Sequence, residues 1–325
     1  MRTSRPCLRP LARTVSVLAG FSLLVAACAD PPASAPAEAP VREERHDAAL
    51  QARLDSLVAD FRGDVGIYVR HLGDGRSAWI QPDSLFPTAS MVKVPILVTL
   101  FDRIERGELD FEQTLVYRDS LLYEGEDILG SFADGEEIHL SKVAMLMITT
   151  SDNTASLWLQ SLVGTGTAIN AWLDGQGFRG TRVNSRTEGR RADWERYGWG
   201  QTTPREMAEL LVRIREGRAV SPRADEEMYR MLTRIYWNDE ALSEIPPWVQ
   251  TASKQGAVDR SRSEVVLVNA PHGDYVFCVI TKDQEDTSWE WDNEGFVLLR
   301  DVSRLLWSTF EPDDPWTAKP FPPHG

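Results

Sequence analysis

Apolar positions recur at helical spacing at Leu50, Leu54, Leu57, Val58 and Phe61, and Gly63 closes the run, which predicts one amphipathic helix. The period then shortens to two. Val65, Ile67 and Val69 alternate with other residues, Gly73, Asp74 and Gly75 form a turn, and Ser77 to Gln81 returns, so this stretch reads as a β-hairpin. A second helical stripe, Val94, Leu97, Val98, Phe101 and Ile104, ends at Gly107, a residue suited to the position just past a helix. Pro95 conflicts with it, because a proline beyond the first turn removes a backbone bond; the start of this helix is expected to be distorted.

Leu140 to Val163 reads as two helical pieces interrupted at Thr149 to Asn153, and Thr203 to Arg215 as a further helix. Glu264 to Asn269 and Tyr275 to Thr281 are β-branched and aromatic runs joined by Ala270 to Asp274, a second hairpin. Phe296, Leu299, Val302, Leu305 and Leu306 then return to helical spacing before a proline-rich tail from Pro312. The order of helix, hairpin, helices, strands and helix suits an α+β fold in three α/β/α layers. An antiparallel sheet would draw on both chain ends and carry an inserted all-helical subdomain.

The extreme N-terminus follows a different pattern. Arg2, Arg5, Arg9 and Arg13 precede an apolar stretch, Val15 to Ala27, that is short for a membrane span and reads as a secretion signal. The stretch ends in Leu24, Val25, Ala26, Ala27 and Cys28, which resembles a bacterial lipobox whose cysteine receives lipid. Residues 1–27 are therefore expected to leave as a signal peptide. Residues 28–46 would form a lipidated, Pro/Ala-rich tether, 47–310 the folded domain and 311–325 the tail. A cleaved signal with a chance cysteine is the plainer alternative. The expected location is the periplasmic side of a bacterial cell envelope, with the membrane engaged through Cys28.

The chain has 325 residues with 42% hydrophobic content, enough for a sizeable core, and a formal charge of −14. Loss of an arginine-bearing leader would make the remainder more acidic still, which argues against nucleic-acid binding. Of the cysteines, Cys7 leaves with the signal and Cys28 is claimed by lipid, so Cys278 stands alone in an apolar run, better suited to filling a core than to acting as a nucleophile. His46, His71, His139, His272 and His324 show no metal-like spacing, and there is no G-x-S-x-G elbow. Neither a metal nor another cofactor is expected.

Three short elements carry chemistry. Ser90, Met91, Val92 and Lys93 form S-x-x-K at a helix start, where a separation of three puts both side chains on one face. A lysine that is not held as an ammonium can take the proton from a serine hydroxyl and make it a nucleophile. Ser151, Asp152 and Asn153 lie between two helical pieces, and Lys254, Gln255, Gly256 and Ala257 open the C-terminal strands. Taken singly, these read as a capping serine, a polar inter-helix turn and a solvated lysine beside a glycine bend.

Together, in this order and placement, they resemble the S-x-x-K, S-D-N and K-T-G elements of the class A β-lactamases and penicillin-binding proteins. The resemblance spans roughly residues 48 to 310. It implies a metal-independent serine hydrolase, expected to be monomeric, in which Ser90 forms an acyl-enzyme with a β-lactam or a related peptidoglycan-like amide. Lys93 would deprotonate Ser90, and the backbone N–H groups of Ser90 and Ala257 would form an oxyanion hole. Ser151 would pass a proton to the leaving nitrogen, assisted by the charge of Lys254. Asn153, Gln255 and Gly256 would hold the substrate, while Asp152 is expected to be structural.

Arg262, expected at a strand edge, is a candidate partner for a substrate carboxylate, or simply an exposed arginine. Glu188 stands near the place of the family's deacylating glutamate. The chain departs from the family there, with Gly189 in place of proline, Ala192 in place of asparagine, and an arginine-rich loop that offers Glu188 a merely solvated role. It departs again at Gln255, where threonine or serine is usual. A penicillin-binding D-Ala carboxypeptidase or transpeptidase is the near alternative, and a catalytically silent envelope-binding lipoprotein the distant one.

Overall fold

The computed structural model describes residues 43–123, 125 and 127–318. Cys28, the expected signal and most of the expected tether lie outside them. Strand β1 (Arg45–His46) leads to Asp47, whose carboxylate accepts from the backbone N–H groups of Ala49 and Leu50 and so starts helix α1 (Ala48–Val58). Strands β2 (Asp64–His71) and β3 (Arg76–Ile80) form the expected hairpin. β1 pairs parallel to β3, Arg45 beside Arg76. The folded domain therefore begins before residue 47. Two residues are too few to display an alternation, so the expected boundary fell late.

After the short strand β4 (Phe86–Pro87), Ala89–Val92 forms one 3-10 turn and helix α2 (Lys93–Glu105) follows directly. This settles the conflict at Pro95. The proline lies in the first turn of α2, where a backbone N–H has no intrahelical acceptor to lose. β5 (Thr114–Val116) and β6 (Glu137–His139) make a small ribbon before α3 (Leu140–Thr149) and α4 (Asn153–Leu162). The helical run continues with α5 (Thr165–Gly175), is interrupted by β7 (Arg182–Val183), α6 (Arg191–Tyr197) and β8 (Gly200–Thr202), and resumes with α7 (Pro204–Arg215) and α8 (Pro222–Leu232).

Strands β9 (Thr251–Val258), β10 (Ser261–Val268) and β11 (Tyr275–Lys282) complete a six-stranded sheet in the order β1-β3-β2-β11-β10-β9, antiparallel except at β1. Both chain ends thus build it, as expected. Alternation along each strand sends Ile67, Val69, Val266, Phe277 and Val279 to one face, where they pack with Leu50 and Leu54 of α1 and with Leu299, Val302 and Leu306 of α9 (Glu294–Phe310). The other face, including Val265, Leu267, Cys278 and Ile280, packs against the helices that start at α2. Each fully buried leucine in these layers contributes about 1.5–3 kcal/mol.

Cys278 is free and buried, and burial pushes its thiol well above the usual range, which fits core filling. The start of the expected tail also belongs to the fold. Buried Glu311 accepts from the backbone N–H of His272, and Trp307 Nε1 donates to the carbonyl of Asp314 at 2.9 Å. Among the described residues no helix is long and apolar enough to cross a membrane.

Candidate active site

The S-x-x-K element forms through local geometry. In a 3-10 turn, side chains three apart eclipse one another, and Ser90 therefore lies over Lys93 with Nζ 3.0 Å from Oγ. Lys93 is fully buried. Its Nζ also lies 2.9 Å from Ser151 Oγ, 2.5 Å from the Ser151 carbonyl and 2.9 Å from Asn153 Oδ1. One amine thus touches both hydroxyls that a proton relay requires.

The S-D-N element is delivered by the junction of α3 and α4. Ser151 takes φ +64°, a left-handed conformation that a non-glycine residue adopts only when its surroundings demand it, and this turns its carbonyl and hydroxyl onto Lys93. Asp152 holds the turn. Its carboxylate caps α4 by accepting from Ala155 N at 2.7 Å and accepts from Ile128 N and Leu129 N at 2.6 and 3.0 Å. The expected structural role of Asp152 is the observed one.

The third element reaches the serine from edge strand β9. A methyl group built on Gly256 would fall 2.8 Å from the Ser90 nitrogen and 2.7 Å from the Thr88 carbonyl, so only glycine permits this approach. Ala257 follows at the wall of the cleft. Lys254 is fully buried and donates to the Gln255 carbonyl at 3.0 Å and to Gln255 Oε1 at 2.8 Å. Burial drives its ammonium down to about 7, against the opposing pull of the Glu240 and Glu264 carboxylates. Burial likewise raises Glu264 to about 7 and Glu240 well above the carboxylate range. Glu264 Oε2 accepts from Ala241 N at 2.9 Å, which fastens the segment bearing Glu240 beside β10.

Ser90, Asn153 and Ala257 line two adjoining cavities of about 820 and 390 Å³, so the serine stands where two spaces meet. Tyr123 and Trp199, in edge-to-face contact at 5.0 Å, wall the larger one. Gln255, Gly256 and Ser151 wall the smaller one together with Trp237, Glu240, Trp289, Trp291 and Arg300. The motifs did not point to these last five residues. The available signal was a tryptophan-rich, acidic stretch around Trp289 and Trp291 with no helical or strand period.

Two expected site residues lie elsewhere. Arg262 is not at an edge, because β10 runs between β9 and β11. It is fully buried, donating to the carbonyls of Val258, Ser261 and Ser288 and stacked between the rings of Trp289 and Phe296. It lines neither cavity, and among the described residues that line the smaller one the guanidinium is that of Arg300. Glu188 is exposed in the turn before α6 and lines neither cavity. Arg190 explains this by drawing the loop onto itself, bonded to Asn184 Oδ1 at 2.7 Å and Gln201 Oε1 at 2.9 Å. Among the described residues no group of three or more His, Cys, Asp or Glu is placed to hold a metal ion.

Comparison with known proteins agrees with this geometry. The model of the beta-lactamase enzyme family matches residues 49–310. The chain is 19% identical over 273 residues to beta-lactamase VEB-1 of Pseudomonas aeruginosa, covering 80% of this chain and 90% of that one. Among solved structures it is similar to PBP-A, with 27% identity and a TM-score of 0.75 over 84% of this chain and 99% of that one. It is also similar to a beta-lactamase from Sphaerobacter thermophilus, with 25% identity and a TM-score of 0.72 over 82% and 98% of the two chains. With the family model covering nearly the whole folded domain and the S-x-x-K, S-D-N and K-x-G elements converging on one cleft, the chain belongs to the beta-lactamase enzyme family, as a serine hydrolase of class A type.

Proposed function

We propose that the protein opens β-lactams by acyl transfer to Ser90, acting as a monomer because every group required converges within one chain. The observation that carries this reading is the contact of Lys93 Nζ with both Ser90 Oγ and Ser151 Oγ. Acting as the base, Lys93 Nζ takes the Ser90 proton as Oγ bonds to the lactam carbonyl carbon. The oxyanion then faces the backbone N–H groups of Ser90 and Ala257. When the C–N bond breaks, Ser151 gives its proton to the departing nitrogen and recovers one from Lys93, so the relay ends as it began. Lys254 supplies positive charge along β9, while Asn153, Gln255 and Gly256 shape the substrate's seat.

A second reading is favoured by the position of Glu188. With that carboxylate exposed and lining neither cavity, no glutamate among the described residues of this loop stands where it could drive water onto the acyl-enzyme. The resemblance to PBP-A, a mutant of which was captured as an acyl-enzyme complex with penicillin G, is in line with slow release. A chromogenic cephalosporin separates the readings: sustained turnover supports hydrolysis, and one equivalent of product with a stable mass adduct on Ser90 supports the slow-release alternative. If no acylating probe labels Ser90, both readings fail and a silent binding role remains. The proposal places the protein on the outer side of a bacterial membrane, anchored by lipid on Cys28, on the strength of the arginine-rich leader and the Leu24–Cys28 pattern. Mass analysis of the mature N-terminus tests that placement.

A further inference from the structure

Two large indoles stand in the open beside the nucleophile. Trp289 is 59% exposed and Trp291 45% exposed, and both line the smaller cavity with Ser90 and Gln255. Exposed aromatic surface next to a reacting group calls for a ligand rather than a packing explanation. Each ring is braced by a guanidinium, Arg262 Cζ lying 4.4 Å from the Trp289 ring centre and Arg300 Cζ 3.8 Å from that of Trp291. Those arginines are fastened in turn, Arg262 to the Ser288 carbonyl at 2.6 Å and Arg300 to the Trp291 carbonyl at 2.5 Å. Asp286 ties the base of the loop by accepting from Ser288 N at 3.0 Å and Glu294 N at 2.9 Å. The indoles are therefore held in place before any ligand arrives.

The surroundings select among ligands. A guanidinium already on one face of an indole repels a second cation on the other. Asp239 and Glu290 line the same cavity and disfavour an anion, and Arg300 already gives one N–H and its stacking face to Trp291. A plain apolar ring would strip water from those carboxylates and return no hydrogen bond. What satisfies both features is a neutral ring with a C–H face for the indole and hydroxyl donors at its rim for acceptor-only carboxylates. We propose that the Trp289 and Trp291 wall, with Asp239 and Glu290, is a subsite for a neutral pyranose sugar carried by the acyl substrate. The inference rests on the reading of Ser90 as the acylated residue, since that reading makes the sugar part of a substrate.

Titration calorimetry with chitotetraose, a neutral N-acetylglucosamine tetramer, tests it. One binding event is expected, weakened about tenfold by Trp289→Ala, as befits one lost aromatic contact, and largely kept by Trp289→Phe. Asp239→Asn should weaken it by a similar factor, which keeps the test open if Trp289→Ala fails to fold by circular dichroism. No binding, equal binding by Trp289→Ala and Asp239→Asn, or preference for the cationic glucosamine tetramer overturns the proposal. Because the readout is binding, chitotetraose binding without any acylation of Ser90 would remove the acyl-transfer reading, and with it the claim that the sugar belongs to an acyl substrate, while leaving the sugar-binding wall itself. Acylation without sugar binding would remove the subsite alone.

Discussion

The Cα of Gly256 stands so close to Ser90 that a methyl group added there would reach 2.8 Å from the Ser90 backbone nitrogen. This contact joins strand β9 to the 3-10 turn and fixes the Ser90 N–H relative to Ala257 at the spot where an oxyanion would form. Gly256→Ala should therefore push β9 and the turn apart. We expect a loss of roughly 10²- to 10³-fold in the acylation rate, the usual effect of spoiling one oxyanion donor, with folding retained by circular dichroism. Stopped-flow acylation with a chromogenic cephalosporin measures it; an unchanged rate would mean that this approach does not organise the site.

Glu188 provides a control in the opposite direction. Exposed in its turn and outside both cavities, it should tolerate Glu188→Gln with changes in acylation and release of no more than about twofold, typical of a surface substitution. Trapping of the acyl-enzyme in this variant, seen by intact mass, would restore the glutamate to catalysis.

Lys254 gives the pH dependence a sign. Burial lowers its ammonium to about 7, so the positive charge proposed to assist acylation is present below that pH and is lost as pH rises through it. The alkaline limb of kcat/KM should accordingly fall near pH 7. Glu240 pulls the lysine upward, so Glu240→Gln should move that limb to lower pH. For stability the direction reverses: between about 7 and 10.5 the unfolded lysine holds a proton that the buried one has released, so its contribution rises with pH. A pH–rate profile whose alkaline limb ignores Glu240→Gln would refute the coupling.

Arg262 should reveal itself as a structural residue. Arg262→Ala leaves the carbonyls of Val258, Ser261 and Ser288 without their donor and removes the support behind Trp289. With each buried group left unsatisfied costing about 1–3 kcal/mol, a clear drop in the denaturant midpoint is expected. Arg262→Lys should recover little of it, since an ammonium reproduces neither the fork nor the stacking. A variant of native stability that lost only affinity for carboxylate-bearing substrates would return Arg262 to the substrate site.

Much of the molecule is legible in the chain because the signals are local. The helical stripe of α2, the alternation along β2 and the runs of β10 and β11 each state a period, and a separation of three residues by itself brings Ser90 to Lys93. The positions of Ser151 and Gly256 around that pair followed only from resemblance, and their contacts are tertiary. Packing alone decided that Arg262 lies in an inner strand under Trp289, that Arg190 folds Glu188 out to solvent, and that Glu240 comes to rest beside Lys254. No short-range pattern encodes those outcomes. They depend on which strand lies next to which and on how far buried charges must reach for partners, and both are set when distant segments meet.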